Sequence, residues 1–159
     1  MLSSIYSFSE ELRKQNITPS TRVLSLNRIS ARPPLTTKLQ VEAGRLVDVV
    51  LRLRLADDTP YAYETSYIPS EYLDGATAAE IAQQGLYNTI EQKSGFRPDK
   101  AVETFEASIA PEVICEALGR KGVLGIMQLE RTAYYKDVVV EYCTSAIAGD
   151  KYRFRVTLE

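Results

Sequence analysis

Arg52 and Arg54 stand two residues apart in a stretch, Leu46 to Leu55, that alternates apolar and polar residues. On a strand such a pair leaves one face with side-chain roots about 6 to 7 Å apart. Two guanidinium forks at that spacing grip a phosphate or carboxylate with paired hydrogen bonds, a task for which arginine suits better than lysine. Glu64 lies on the segment that returns from the same strand. If an odd-length turn sets it opposite or diagonal to Arg52, its carboxylate joins the arginine face and accepts hydrogen bonds from ligand hydroxyl or amino groups. A one-residue slip turns it away. The alternative for the two arginines is a solvated face with Asp48 and Glu64 as surface partners, and for Glu64 a structural salt bridge. Tyr61, Tyr63 and Tyr67 alternate on the returning segment and supply rings for a pocket wall, although spacing alone does not single one out.

Several chemistries are excluded before any fold is considered. The chain contains no histidine, which removes His-based triads, zinc sites and general bases. The two cysteines, Cys115 and Cys143, form no CxxC pair and sit in apolar contexts, so they read as small buried hydrophobes, not as a disulfide or metal site. No metal or cofactor is expected. With 19 Lys plus Arg against 21 Asp plus Glu and a net charge of -2, the near-neutral chain is not basic enough to hold nucleic acid by neutralising phosphates. No apolar run reaches the roughly 20 residues that cross a bilayer, so no membrane partner is expected and the chain reads as cytoplasmic.

The 159 residues fit a single domain, 1–159, with no internal repeat or linker. Ser7-Phe8-Ser9-Glu10 has the form of a capping box and predicts a helix to about Gln15. Val23 to Ile29 reads as extended, and Pro33-Pro34 opens a short helix through Leu39. From Leu46 to Leu55, Val47, Val49, Leu51, Leu53 and Leu55 point one way and Asp48, Arg52 and Arg54 the other, which predicts a strand with one dry face. Asp57-Asp58-Thr59-Pro60 turns the chain into Tyr61 to Ile68, completing a hairpin. Ala78 to Gln92 carries helical spacing broken at Gly85. Lys100 to Ile109 reads as a strand with Val102, Phe105 and Ile109 as its apolar residues. Pro111 opens a helix that stops at Gly119. Val123 to Tyr135 and Val138 to Ala146 form a hairpin across Lys136-Asp137, and Tyr152 to Leu158 is a last strand. Hairpins and short helices without a βαβ phosphate loop give an α+β class, with helices covering the apolar side of one sheet and the other side free to build a site.

From about Tyr6 to Leu158 the order of short strings resembles a known family. They are Ser7-Phe8-Ser9-Glu10-Glu11-Leu12, Thr18-Pro19-Ser20-Thr21-Arg22-Val23-Leu24, Arg52 to Pro60, Glu64-Thr65-Ser66-Tyr67-Ile68-Pro69, Leu129-Glu130-Arg131 and Gly149 to Phe154. The family is the UTRA domain, the ligand-sensing half of bacterial GntR-superfamily transcription regulators of the HutC subfamily. The resemblance implies a chorismate lyase-like antiparallel sheet flanked by helices, a homodimer, and binding of a small anionic metabolite such as a sugar phosphate or carboxylate. It also implies DNA binding through an N-terminal winged helix-turn-helix that this chain does not contain.

By the same resemblance, Arg52 and Arg54 grip the phosphate, and Phe8 and Ser9 at a helix start add contacts to it, as suits a helix N-terminus. Glu64 and Glu141 meet sugar hydroxyls or an amino group, and Tyr87 closes over the phosphate. Ile147-Ala148 replaces a Tyr-Arg common in relatives, and Gly85 replaces a phosphate-contacting serine of some members, which argues against amino-sugar phosphate in particular. The runner-up is a chorismate lyase-like enzyme with Glu64 or Glu141 as general acid, which two neighbouring arginines disfavour because they stabilise the ionised form. A dimerisation module with a vestigial pocket is the third reading.

Overall fold

The computed structural model describes residues 16–151, 153 and 158–159. The expected helix from Ser7 to Gln15, the phosphate contacts of Phe8 and Ser9, and most of the expected last strand lie outside the described residues. The rest is one antiparallel sheet of six strands in the order β1-β2-β3-β6-β5-β4. The strands are β1 Pro19–Ser30, β2 Leu46–Ala56, β3 Thr59–Pro69, β4 Lys100–Ile109, β5 Gly125–Tyr135 and β6 Val138–Ala148. Four short helices join them: α1 Leu35–Leu39, α2 Ala78–Gln84, α3 Leu86–Ser94 and α4 Glu112–Ala117. A 3-10 turn, Ser70–Tyr72, follows β3. This is the expected α+β, chorismate lyase-like arrangement.

Local chemistry sets the helix ends. Thr77 accepts from the Glu80 backbone N–H while the Glu80 carboxylate accepts from the Thr77 N–H, a reciprocal cap at the start of α2. Gly85 has φ of 87°, a left-handed value that an L side chain resists, and it separates α2 from α3 as the sequence predicts. Gly149 is required for a different reason: a Cβ there would lie 2.6 Å from the Gly125 carbonyl oxygen.

Both faces of the sheet are covered, which corrects the expectation of one dry face. Leu53, Ile126 and Ala146 pack against Cys115 of α4 and the adjoining Leu118, and Val47 and Val139 pack against Leu39 of α1. On the opposite face Val50 and Ile68 pack with Ile81, Leu86 and Ile90 of α2 and α3. Each fully buried aliphatic side chain contributes about 1.5 to 3 kcal/mol. Asp48 and Arg52 are therefore buried, at 5% and 7% exposure, because α2 and α3 roof the polar side of β2. Asp48 pairs with Arg28 and Ser70, not with the nearby arginines of its own strand. The β4 edge has one neighbouring strand, and Val102, Phe105 and Ile109 are exposed there.

Candidate functional site

The register of the β2–β3 hairpin decides whether Glu64 meets the arginines, and it does so by an unexpected route. The turn is two residues long, Asp57-Asp58, both at positive φ as a tight hairpin requires. Its register, Ala56↔Thr59 and Leu55↔Pro60, would by itself pair Arg52 with Tyr63 and turn Glu64 to the other face. A shift between Arg54 and Leu55 leaves Tyr61 as an extra residue, and beyond it Arg52 pairs with Glu64. The β5–β6 hairpin repeats the device. Its turn is Lys136-Asp137, and a shift at Ala133/Tyr134 leaves Val140 extra and sets Glu141 opposite Ala133, on the arginine face.

On that face Arg52 Nη2 donates to Glu64 Oε2 at 2.9 Å and to Ser66 Oγ at 3.3 Å. Arg54 Nη1 lies 3.6 Å from the same Glu64 oxygen. Ser145, the β6 partner of Glu64, donates its hydroxyl to Glu64 Oε1 at 3.2 Å. Among the described residues the buried Nε of Arg52 has no hydrogen-bond partner. Burial works against the Glu64 charge, but Arg52, Arg54 and then Arg131 outweigh it and hold the carboxyl below its ordinary range. At neutral pH it is an acceptor.

Glu141 is 1% exposed, and the Tyr87 hydroxyl of α3 donates to its Oε1 at 2.5 Å. Burial and the Glu141 charge raise the Tyr87 pKa well above the phenol value, so it remains a neutral donor. Arg52, Arg54, Glu64, Glu141 and Tyr87 thus meet on one face under α2 and α3. Tyr63 and Tyr67 do not, since they turn to the opposite face with the Leu53 and Val47 clusters. Ile147 packs on Tyr61 and Ala62 as part of an apolar wall.

Arg131 was absent from the candidate residues. It enters this face from β5 opposite Cys143, with its Nε and Nη2 both donating to Glu103 Oε1 at 2.8 and 2.7 Å. The signal was present in the string Leu129-Glu130-Arg131, where alternation places Leu129 and Arg131 on one side. Cys143 is buried, and burial with the charges of Glu141 and Glu64 pushes its thiol pKa up, so it is an unreactive filler. A groove of about 380 Å³ runs beside the cluster, between Thr21 and Val23 of β1 and Ala78, Ala79 and Ala82 of α2. Thr21 and Val23 are the ladder partners of Arg54 and Arg52, so it opens one strand away from the arginines. The groove is also lined by Arg22 and Asp58, but Arg52, Arg54, Glu64 and Glu141 share one face in the polar cluster, which makes the cluster the stronger candidate for a site. Among the described residues no group of His, Cys, Asp or Glu is placed to hold a metal ion, and no helix is long and apolar enough to cross a membrane.

Comparison with known proteins bears on the fold and the family. The chain is 28% identical over 154 residues to the HTH-type transcriptional repressor NagR of Bacillus subtilis, covering 96% of this chain and 63% of that protein. The solved structure of a GntR-family transcriptional regulator from Enterococcus faecalis is 27% identical, with a TM-score of 0.77, and covers 87% of this chain and 100% of that one. The effector domain of PhnF from Mycobacterium smegmatis shares the fold at a TM-score of 0.84 and 22% identity, over 96% of this chain and 94% of its own. The B. subtilis and E. faecalis relatives are transcriptional regulators, which sets the lyase reading aside. Residues 14–153 match the UTRA domain family, and the chain belongs to it, as an effector-binding domain of the GntR-family type.

Proposed function

We propose that this domain senses a small anionic metabolite, a sugar phosphate or a related carboxylate, whose anion is held by Arg52 and Arg54. The supporting observation is that a buried arginine, Arg52, and a partly buried one, Arg54, on adjacent same-face positions converge on one oxygen of Glu64. A buried ionic cluster adds little to stability over apolar packing, so its presence under α2 and α3 fits a binding role. Glu64 and Glu141 would accept from ligand hydroxyl or amino groups, with Tyr87 closing over the ligand and Phe8 and Ser9 adding to the anion contacts.

The chain spans 63% of the length of the B. subtilis repressor, whose description as HTH-type supports a larger regulator in which an N-terminal winged helix-turn-helix binds DNA in the cytoplasm. In this reading the regulator is a homodimer, and occupancy of the site changes how its DNA-binding halves are presented. That requires the ligand to prefer one arrangement over the other, since tight binding alone shifts nothing. The low pKa of Glu64 agrees with this role, because a general acid at neutral pH needs the opposite shift.

A thermal-shift panel of phosphorylated sugars and small carboxylates tests the reading. A ligand at 100 times its dissociation constant stabilises the folded state by about 2.7 kcal/mol, a rise of about 5 to 10 °C. The Arg52→Ala/Arg54→Ala variant is expected to show no rise with any of them. A rise that survives in that variant would refute the assignment of the anion to the arginine pair.

A further inference from the structure

The sheet ends in two edges, β1 and β4, and they are built differently. An edge offers a row of backbone N–H and C=O groups to any other chain, so folds usually blunt it with a bulge, a proline or a covering element. β1 has all three: it starts at Pro19, breaks its ladder between Val23 and Ser25, and packs Val23 and Leu26 into the cluster of Ile81 and Ile90 from α2 and α3. Among the described residues β4 shows none of them. Its pairing with β5 runs from Lys100 to Ile109 without a shift, it holds no proline or glycine, and β5 is its one neighbouring strand. Every residue from Thr104 to Ile109 is exposed, and the apolar Val102 and Ile109 are 53% and 61% exposed.

The occupant whose charges fit this edge is a second copy of the chain. Two β4 strands related by a two-fold axis through the sheet run antiparallel, as the strand pairs within the chain do. The residue on the axis then faces itself, and the residues on either side pair symmetrically about it. The charges of β4, Lys100, Glu103 and Glu106, select the register, because like charges directly opposite each other are destabilising. An axis at Glu103 or Glu106 sets carboxylate against carboxylate. An axis at Thr104 avoids that, but it sets Val102 against Glu106 and Ile109 against Asp99. An axis at Phe105 sets Ala101 against Ile109, Val102 against Ser108, Glu103 against Ala107 and Thr104 against Glu106, so no like charges are opposed and the strand is used along its length. Pairing β4 with the β1 edge of a next copy would instead build an open filament. The bulge in β1 and α2 beside it stand in the way of that.

We propose that the outer edge of β4 is the surface on which two copies of this domain meet, pairing as antiparallel strands about Phe105 into one continuous sheet. This rests on the homodimer of the proposed function and names its surface. A two-fold axis through the sheet keeps each face on its own side, so the Arg52 and Arg54 clusters of both copies lie on the same side of the joined sheet.

The test is sedimentation equilibrium of this chain, with disulfide trapping to read the register. The wild type is expected to be a dimer at about 100 µM, where a complex of micromolar affinity is nearly all associated. Val102→Lys/Ile109→Lys puts cations at exposed positions of the edge and should weaken the dimer by about tenfold or more, with the fold intact by circular dichroism. Residues directly opposite on antiparallel strands have Cα atoms about 4.5 to 5.5 Å apart, within disulfide reach. Val102→Cys/Ser108→Cys should therefore become a covalent dimer in oxidised glutathione, and neither single variant should. The two positions lie about 20 Å apart along one strand, so they do not bond within a chain, and the native Cys115 and Cys143 are buried. If the lysine variant does not fold, the cysteine pair decides alone, since both its sites are exposed. Three results would each overturn the β4 pairing about Phe105 and leave the homodimer standing: a dimer unchanged by the lysines, no trapping by the cysteine pair, or stronger trapping by Val102→Cys/Glu106→Cys, the pair opposed about Thr104. A wild type that sediments as a monomer at about 100 µM removes the homodimer and this surface together.

Discussion

Arg52 and Leu53 are neighbours in sequence, look to opposite sides of one sheet, and are almost equally buried, at 7% and 3% exposure. The face of Leu53 is closed by Leu118, Leu124 and Ile126, and water-exclusion energy explains it completely. The face of Arg52 holds charges that could have been replaced by apolar residues at little cost or with a gain in stability. The first face makes the fold, and the second carries the proposed site. Removing side chains from the two faces should therefore damage different quantities.

The largest separation is expected from Arg52→Ala/Arg54→Ala. It should lower affinity for the panel ligand by about 100-fold or more, the scale of losing paired charge-assisted bonds. Its melting temperature without ligand should change far less than that of an apolar-face variant. Leu118→Ala is the counterpart. It should lose about 2 to 5 kcal/mol of stability by denaturant melt, while the folded fraction binds ligand as the wild type does. Loss of binding per folded molecule in that variant would break the division.

A smaller effect follows from pH. The Glu64 carboxyl is held low in the folded protein by Arg52, Arg54 and Arg131 against the opposing effect of burial. Its contribution is fully present above the ordinary carboxylate range, about pH 4.3, and is lost as pH falls through the depressed folded value. Glu64→Gln should accordingly flatten the acid limb of a stability-against-pH curve. An unchanged limb would mean that the ion cluster is not coupled to folding. At the other end, the raised Tyr87 pKa predicts destabilisation above about pH 10, where the unfolded chain ionises and the folded one does not. Tyr87→Phe should remove that component.

The smallest effect belongs to the rim of the apolar face. Lys38 donates to Glu130 at 2.7 Å, with side chains 45% and 39% exposed. Lys38→Ala should cost less than about 1 kcal/mol and nothing in binding. A larger loss would show that the rim is part of the core.

Most elements of the fold were legible in the sequence, and what was missed has a physical pattern. Alternation along Leu46 to Leu55, the break at Gly85 and the stop at Gly119 all act within a few residues, and each appears where periodicity and glycine chemistry put it. The Thr77-Ala78-Ala79-Glu80 cap was equally local and was passed over. Register was not local. Glu64 and Glu141 reach the arginine face only because Tyr61 and Val140 are extra residues in their hairpins, and no residue type announces such a bulge. Roofing was not local either. An alternating strand whose polar side carries Asp48 and two arginines looks solvated until Ile81, Leu86 and Ile90 are found packed over it. Arg131 escaped because its partners, Glu103 across one ladder and Glu64 two strands away, are distant in sequence.

The most direct test of the anion grip is a crystal structure of the domain with the phosphorylated sugar that gives the largest thermal shift. The account predicts phosphate oxygens within about 3 Å of donors on both Arg52 and Arg54, with sugar hydroxyls on Glu64. A phosphate seated in the groove between Thr21 and Ala82, with Glu64 still bonded to both arginines, would contradict it.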